Sequence, residues 1–477
     1  MTIRILSVAS ECVPLVKTGG LADVVGAQPK ALAGQGGEMR VMLPAYPGVA
    51  ERLSGAAPVW HDADLFGGPA RVLAGEVDGL AVLLLDAPHL YARAGGIYGG
   101  PGGDHPDNPE RFAALSWAAA EIAERGLADG WTPEILHAHD WQAGLAPAYL
   151  RYRKAPVTTV ITIHNIAFQG LAPGDRVPAL RLPWAAFDAE GFEFWGQVSA
   201  LKAGLVTADA ITTVSPTYAD ELMRPEFGMG LQGVIQRRAA DVCGILNGAD
   251  TEVWDPARDP AIQPYSAAGL RGKAANRAQL IAEFGLAEIA GPLVIVVSRL
   301  TGQKGIDLIP GAVPELIRGG GGLIVLGSGD AKLEAAMRGL ARSHPGQVAV
   351  RIGYDEDLSH RLFAGGDAVL VPSRYEPCGL TQMYGLRYGT IPVVAATGGL
   401  ADTVITANPA ALSAGIATGL TFHPTDGLAL AQAIRHLCDL HARPKIWARL
   451  QRQAMKANVG WAASSAEYMA LYERLLA

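Results

Sequence analysis

At 477 residues the chain is long enough for two or three domains, each with a full core. Hydrophobic residues make up 49% and charged ones 18%, which suits a large enzyme with extensive buried sheet. A net charge of −7 argues against nucleic acid or an anionic membrane as partner, since both demand a basic surface, but leaves a small anionic ligand open.

Cys12, Cys243, Cys378 and Cys438 are far apart and form no Cys-x-x-Cys pair, so neither a zinc site nor a disulfide framework is expected, and a reducing cytoplasm fits best. The opening Met1–Ala9 turns polar too soon for a signal peptide, and no run has the apolar length of a membrane span.

Ile3–Ala9 predicts a first strand. Lys17 and the pair Gly19-Gly20 then sit in a loop ahead of a helical pattern reaching Leu32. This has the logic of a phosphate loop: glycines let the backbone approach a ligand, a lysine supplies charge, and a helix start lies behind them. The Gly-Lys-Ser/Thr order of a Walker motif is absent, and a surface loop explains the same residues. Arg40–Leu43 and Leu80–Leu85 predict strands. The glycine-rich segment His89–Asn108 is a long loop, and Asn108-Pro109 starts a helix carrying Phe112, Leu115 and Ala119. In Ile135–Trp141 a strand ends and a helix begins. His137 and His139 share a strand face, which mimics half a metal site, but no third ligand of matching spacing follows, so hydrogen bonding is preferred.

Val157–Asn165 predicts a strand ending in His164-Asn165, polar groups where an α/β sheet places ligands; a capping pair is the plainer reading. Phe168, Trp184, Phe187, Phe192, Phe194 and Trp195 follow, as core, lid or a stacking surface for sugar rings. Ala210–Ser215 is the next strand.

A domain boundary is expected near Asp241. From Pro292 the alternation restarts, with strands Leu293–Ser298, Leu323–Leu326, Val348–Ile352, Ala368–Val371 and Ile391–Ala395, and helical patterns such as Ala331–Arg342 and Asp357–Ala364 between them. Two successive series imply two doubly wound, Rossmann-like α/β domains facing a cleft: 1–243 with a returning helix 458–477, and 244–457. Arg299 and Lys304 stand just beyond a strand end, before a helix, as a diphosphate clamp would; exposed surface cations are the alternative. Gly327-Ser-Gly-Asp330 is a tight turn, and Tyr354 follows a strand, where a ring could stack on a base.

The stretch Ser373–Gly389 organises the rest. A buried strand ends in a turn holding Glu376, fixed by Pro377, and Gly379 opens a helical pattern through Thr381, Tyr384 and Leu386. An acid beside a helix start suits a sugar joined to a phosphate: the carboxylate holds hydroxyls, the helix holds the anion. A strand–helix turn with a capping acid reads equally well from local pattern.

Together Lys17–Asp23, His137–Trp141, His164-Asn165, Asn247-Gly248, Ser298–Thr301, Gln303–Gly305, Ser373–Gly389 and Gly398–Asp402 resemble the bacterial glycogen synthases and plant starch synthases, retaining enzymes of glycosyltransferase family 5. The resemblance implies the GT-B fold and transfer of glucose from ADP-glucose to the non-reducing end of an α-1,4-glucan, without a metal or other cofactor. It implies that Arg299 and Lys304 hold the diphosphate, that Glu376 and His164 serve the glucose, and that Cys378, Gly379, Leu380 and Thr381 add donor contacts. Lys17, Gly20, Asp23 and Asn247 also fall on the donor, Tyr354 on adenine, and Gly19, Asp140 and Trp141 on the acceptor. Two positions depart from the wider pattern. Tyr384 stands where many GT-B transferases carry a second glutamate, and Gly302 where a bulkier residue is usual. A UDP-glucose-dependent transferase and a non-catalytic glucan-binding protein are the competing readings.

Overall fold

The computed structural model describes residues 2–100 and 102–477; Met1 of the opening segment and Pro101 of the glycine-rich loop lie outside them. The chain forms two compact units. One runs to Asn247 and takes in Trp461–Ala477; the other is Gly248–Gly460.

The first unit is built on a nine-stranded sheet. Its strands are β1 (Ile3–Val8), β2 (Gly37–Pro44), β3 (Ser54–Asp62), β4 (Ala70–Val77), β5 (Leu80–Asp86), β6 (Ile135–His139), β7 (Thr158–Ile163), β8 (Ala210–Thr213) and β9 (Val242–Gly244), in the order β9-β8-β7-β6-β1-β2-β5-β4-β3. The strands from β9 to β5 run parallel, and β3 and β4 close the edge as an antiparallel hairpin. The central parallel strands are buried along nearly their whole length, as expected where both faces of a sheet are covered. Because β9 pairs with β8, the chain leaves this unit only after Asn247.

Neither β3 nor β4 carries a legible pattern. β3 is largely exposed and holds Pro58, as an edge strand tolerates. The glycine-rich loop also has structure of its own: a turn of helix at Pro88–Tyr91 and a short antiparallel pair, Gly99–Gly100 with Gly103–Asp104.

Helix α1 (Gly20–Ala33) follows β1, and α2 (Asn108–Arg125) precedes β6. The second unit has a six-stranded parallel sheet: β10 (Leu293–Val297), β11 (Gly322–Gly327), β12 (Val348–Ile352), β13 (Ala368–Val371), β14 (Ile391–Ala395) and β15 (Leu420–Phe422), ordered β12-β11-β10-β13-β14-β15. In both sheets the order reverses beside the first strand, the place where open α/β sheets hold ligands at their carboxyl edge. Helix α3 (Thr381–Tyr388) lies between β13 and β14.

The last helix, α4 (Trp461–Leu476), returns to the first unit and packs on α1. Tyr468, Met469, Leu471 and Tyr472 enter one core with Ile5, Leu32, Met39, Ile135 and Val160. Fully burying an aliphatic side chain of this kind contributes roughly 1.5–3 kcal/mol. The buried hydroxyl of Tyr472 lies 2.8 Å from His137 Nδ1, while His137 Nε2 lies 2.6 Å from Thr162 Oγ1. Removing that hydroxyl strands a buried ring nitrogen. Tyr472→Phe is therefore expected to lower unfolding free energy by about 1–3 kcal/mol, read from the urea midpoint at unchanged slope.

Candidate active site

In the second unit the site grows from two strand ends. Past β10, the loop Thr301–Gly305 turns so tightly that Gly305 takes φ +65, and a Cβ there would collide with the carbonyl oxygen of Pro372. Only glycine allows this approach of the loop to the end of β13. Arg374 then fastens the loop. Its guanidinium donates to Gly302 O at 2.6 Å and grips Asp307 with two bonds of 2.7 Å, while its amide donates to Gln303 O at 2.8 Å.

The loop delivers Lys304 to Glu376, with Nζ 2.6 Å from Oε2. Ser373 Oγ donates to the same oxygen at 2.8 Å. Glu376 is only 7% exposed, so this carboxylate is paired and hydrogen-bonded, as a buried charge must be. Arg299 is exposed, and burial raises the hydroxyl of Tyr375, next to Glu376, above its ordinary value against the opposing pull of the Arg299 charge. Gly398 at φ +44 lets Thr397-Gly398-Gly399 close against the Glu376 carbonyl, and Gly399 donates its amide to that oxygen at 3.1 Å.

The helix after Glu376 begins at Thr381, two residues later than the pattern indicates. Gly379 precedes it in the left-handed region, at φ +75. Gln382 braces this turn by donating to Cys378 O at 3.0 Å and Gly379 O at 2.8 Å. Leu380 is the residue before the helix. Lys304, Glu376 and the Gly379 turn thus adjoin one another. Tyr354 is 73% exposed, past β12.

The first unit has its own cluster. Buried Glu11 accepts from the amides of Thr18 at 2.5 Å and Gly19 at 3.1 Å, and from the hydroxyl of Tyr98 at 3.0 Å. It clasps the Lys17–Gly20 loop from below. Lys17 pairs with Asp23 of α1 at 2.9 Å. A Cβ on Gly19 or Gly20 would meet open space, so neither glycine is demanded by packing within the chain.

At the ends of β6 and β7, Asp140 Oδ1 accepts from the amides of His164 at 2.7 Å and Asn165 at 3.3 Å. His139 Nδ1 lies 2.9 Å from His164 Nε2. Burial pushes Asp140 up to about 7 and His164 down to about 3. Trp141 packs edge-on against Phe112, ring centres 5.0 Å apart, and over Gly170. Asn247 is buried, and its Oδ1 has no hydrogen-bond partner among the described residues.

Glu11, Tyr98, Ser373, Arg374 and Gln382 carry no expectation from sequence. For Ser373 a signal existed, three residues ahead of Glu376; for Glu11 and Tyr98, 87 residues apart, there was none. Among the described residues no group of three or more His, Cys, Asp or Glu is arranged to hold a metal ion, and the four cysteines are free thiols.

Asp140 yields a sign-definite test. Its folded pKa lies above its unfolded one, so the fold binds more protons between about pH 4 and 7. Stability contributed by this group falls as pH rises through that window, by up to about 1.4 kcal/mol per pH unit. Asp140→Asn keeps an acceptor for both amides and should flatten that slope in urea unfolding measured at pH 4.5, 5.5 and 6.5, pH values chosen at roughly unit spacing across the window.

Residues 4–237 match the starch synthase catalytic domain, and residues 291–439 the glycosyl transferases group 1. The chain is 64% identical over 475 residues to a glycogen synthase of Cereibacter sphaeroides, covering 99% of both chains. It is 58% identical over 476 residues to that of Paracoccus denitrificans, covering 99% of this chain and 100% of the relative. The catalytic domain of starch synthase IV from Arabidopsis thaliana, solved with ADP and acarbose, superposes with a TM-score of 0.90 at 30% identity over 100% of both chains. The chain belongs to the glycogen synthase family and is a hexosyltransferase of the GT-B fold, with two Rossmann-like units.

Proposed function

We propose that the chain transfers glucose from ADP-glucose to the non-reducing end of an α-1,4-glucan, retaining the anomeric configuration and releasing ADP. The observation that carries this is the Lys304–Glu376 pair beside the Gly379 turn. A cation and a carboxylate held 2.6 Å apart suit a substrate with a diphosphate on one side of a bond and sugar hydroxyls on the other.

Negative charge grows on the departing phosphate oxygen as the C1–O bond breaks. Lys304 and Arg299 stabilise it, helped by the backbone amides of Gly379, Leu380 and Thr381. Preorganised donors of this kind are the main catalytic lever. Glu376 binds glucose hydroxyls and supports the positive charge on the ring. His164 meets the glucose, with Asn247 beside it; Tyr354 stacks on adenine and Cys378 borders the donor. Lys17, Gly20 and Asp23 serve the donor, and Gly19, Asp140 and Trp141 the acceptor. The acceptor oxygen attacks C1 from the face the phosphate leaves, the bonding pair passes to the phosphate oxygen, and that oxygen takes the acceptor's proton. A covalent route needs a nucleophile about 5 Å from a second acid, and the motif supplies only one.

The side-chain cations take the part a magnesium ion plays elsewhere, so activity is expected to survive EDTA. No helix among the described residues is long and apolar enough to cross a membrane, and free thiols suit a reducing cytoplasm.

The test is incubation with labelled ADP-glucose and glycogen. Label should enter the glucan with release of ADP, faster than from UDP-glucose. Lys304→Ala and Arg299→Ala should each lose about a hundredfold or more in kcat. Exposed Arg299→Ala should leave thermal unfolding unchanged, whereas Lys304→Ala, which strips buried Glu376 of its cation, should also lower the unfolding midpoint. Near-normal turnover in either variant removes the clamp assignment. Preference for UDP-glucose would point to the other donor, and glucan binding without transfer to a non-catalytic protein.

A further inference from the structure

The chemistry above uses His164 but leaves three other buried groups of the first unit unexplained: Ser7, His137 and His139. They form one connected array. Ser7 Oγ lies 3.0 Å from His139 Nε2, and His139 Nδ1 lies 2.9 Å from His164 Nε2. His137 stacks on the His139 ring, centres 4.4 Å apart and planes within 28°. It is itself pinned by Thr162 and Tyr472. A flip of His139 would exchange Nδ1 for a carbon and break its contact to His164, so the ring orientation is fixed by its neighbours.

We propose that Ser7 and His139 are positioning residues that lock His164 in the tautomer protonated on Nδ1, so that it presents an N–H donor to a sugar hydroxyl. This rests on the reading that His164 faces the glucose.

Burial holds His164 and His137 at about 3 and His139 well below the ordinary histidine value, so each ring carries a single proton near neutral pH. One proton must lie between His139 Nδ1 and His164 Nε2. If His164 gives it, His139 carries its own proton on Nε2 and aims it at Ser7 Oγ. The Ser7 hydroxyl is then a fully buried donor with no acceptor, for its contact to His139 is its only side-chain hydrogen bond among the described residues. Leaving such a donor unpaired costs about 1–3 kcal/mol. If instead Ser7 donates to His139 Nε2, His139 donates from Nδ1 to His164 Nε2, and every proton finds an acceptor. His164 then carries its proton on Nδ1, which makes no hydrogen bond among the described residues, on a half-buried ring. The amide of His164, bonded to Asp140, holds the residue in place.

The experiment is long-range nitrogen–proton spectroscopy of the full chain with isotope-labelled histidine, without substrate, His164 being assigned through His164→Asn. The Nδ1-protonated pattern is expected for His164; the Nε2-protonated pattern overturns the proposal. Ser7→Ala removes the starting donor. It should move His164 toward the Nε2-protonated form and lower kcat/KM about tenfold, the cost of one neutral hydrogen bond. Ser7→Thr should restore both. An unchanged His164 spectrum in Ser7→Ala also overturns the proposal. Should that variant fail to fold, the spectrum of the unsubstituted chain still decides. A locked His164 in a chain that transfers no glucose would sink the functional reading and leave the lock standing.

Discussion

The ion pair between Lys304 and Glu376 is the contact on which the second unit's site depends. A carboxylate as buried as Glu376 is costly without a partner, and a lysine drawn toward the protein interior is costly without an anion. Each makes the other tenable. Their proximity also explains why so much backbone is spent nearby. Gly305 lets the lysine loop approach β13, Arg374 fastens that loop, and Gly398 lets the next strand end close behind Glu376. None of these residues need touch a ligand; each limits where the charged pair can go. On the proposed function, an incoming diphosphate would find Lys304 already oriented and would compete with Glu376 for it.

The first unit solves a different problem by the same means. The titratable groups at the ends of its β6 and β7 are neutral or nearly so. Histidines there are kept neutral by burial, and Asp140 is pushed toward neutrality beside them. Direction therefore matters more than charge here. Glu11 fixes a loop through two amides, Asp140 fixes two more, and the histidines hold one another by ring nitrogens. Such networks specify a single geometry when every member is satisfied.

Much of this was legible in the sequence, for physical reasons. Buried parallel strands must be apolar throughout, so β10, β13 and β14 announce themselves, and ligand-bearing loops must follow their carboxyl ends. What was hidden depends on contacts across long separations. Ser7 meets His139 across 132 residues, and Tyr472 meets His137 across 335. No local pattern encodes either. The β3–β4 hairpin was hidden for the opposite reason: its outer strand β3 is a largely exposed edge that needs no apolar alternation, so the hairpin is not among the strands expected from sequence. The helix after Glu376 starts late because Gly379 adopts a backbone conformation that no helix contains, which periodicity alone does not register.

Tyr384 shows how a departure from a motif can be settled by packing. Its ring stacks on Trp254 with centres 3.8 Å apart and planes within 11°, and the far face of Trp254 stacks on His360 at 4.0 Å. His360 is tied to buried Asp259 at 2.7 Å, and the hydroxyl of Tyr388 donates to the same carboxylate oxygen at 2.5 Å. Trp254, Phe363 and Tyr388 belong to the core beneath the second sheet, with Tyr384 packed against it. A glutamate at this position would forfeit the stack on Trp254. The tyrosine thus anchors helix α3 by its side, on the turn of helix that follows Gly379. Gln382 braces the Gly379 turn from within and the aromatic column holds the helix that follows it, which leaves Glu376 as the one acid of the motif.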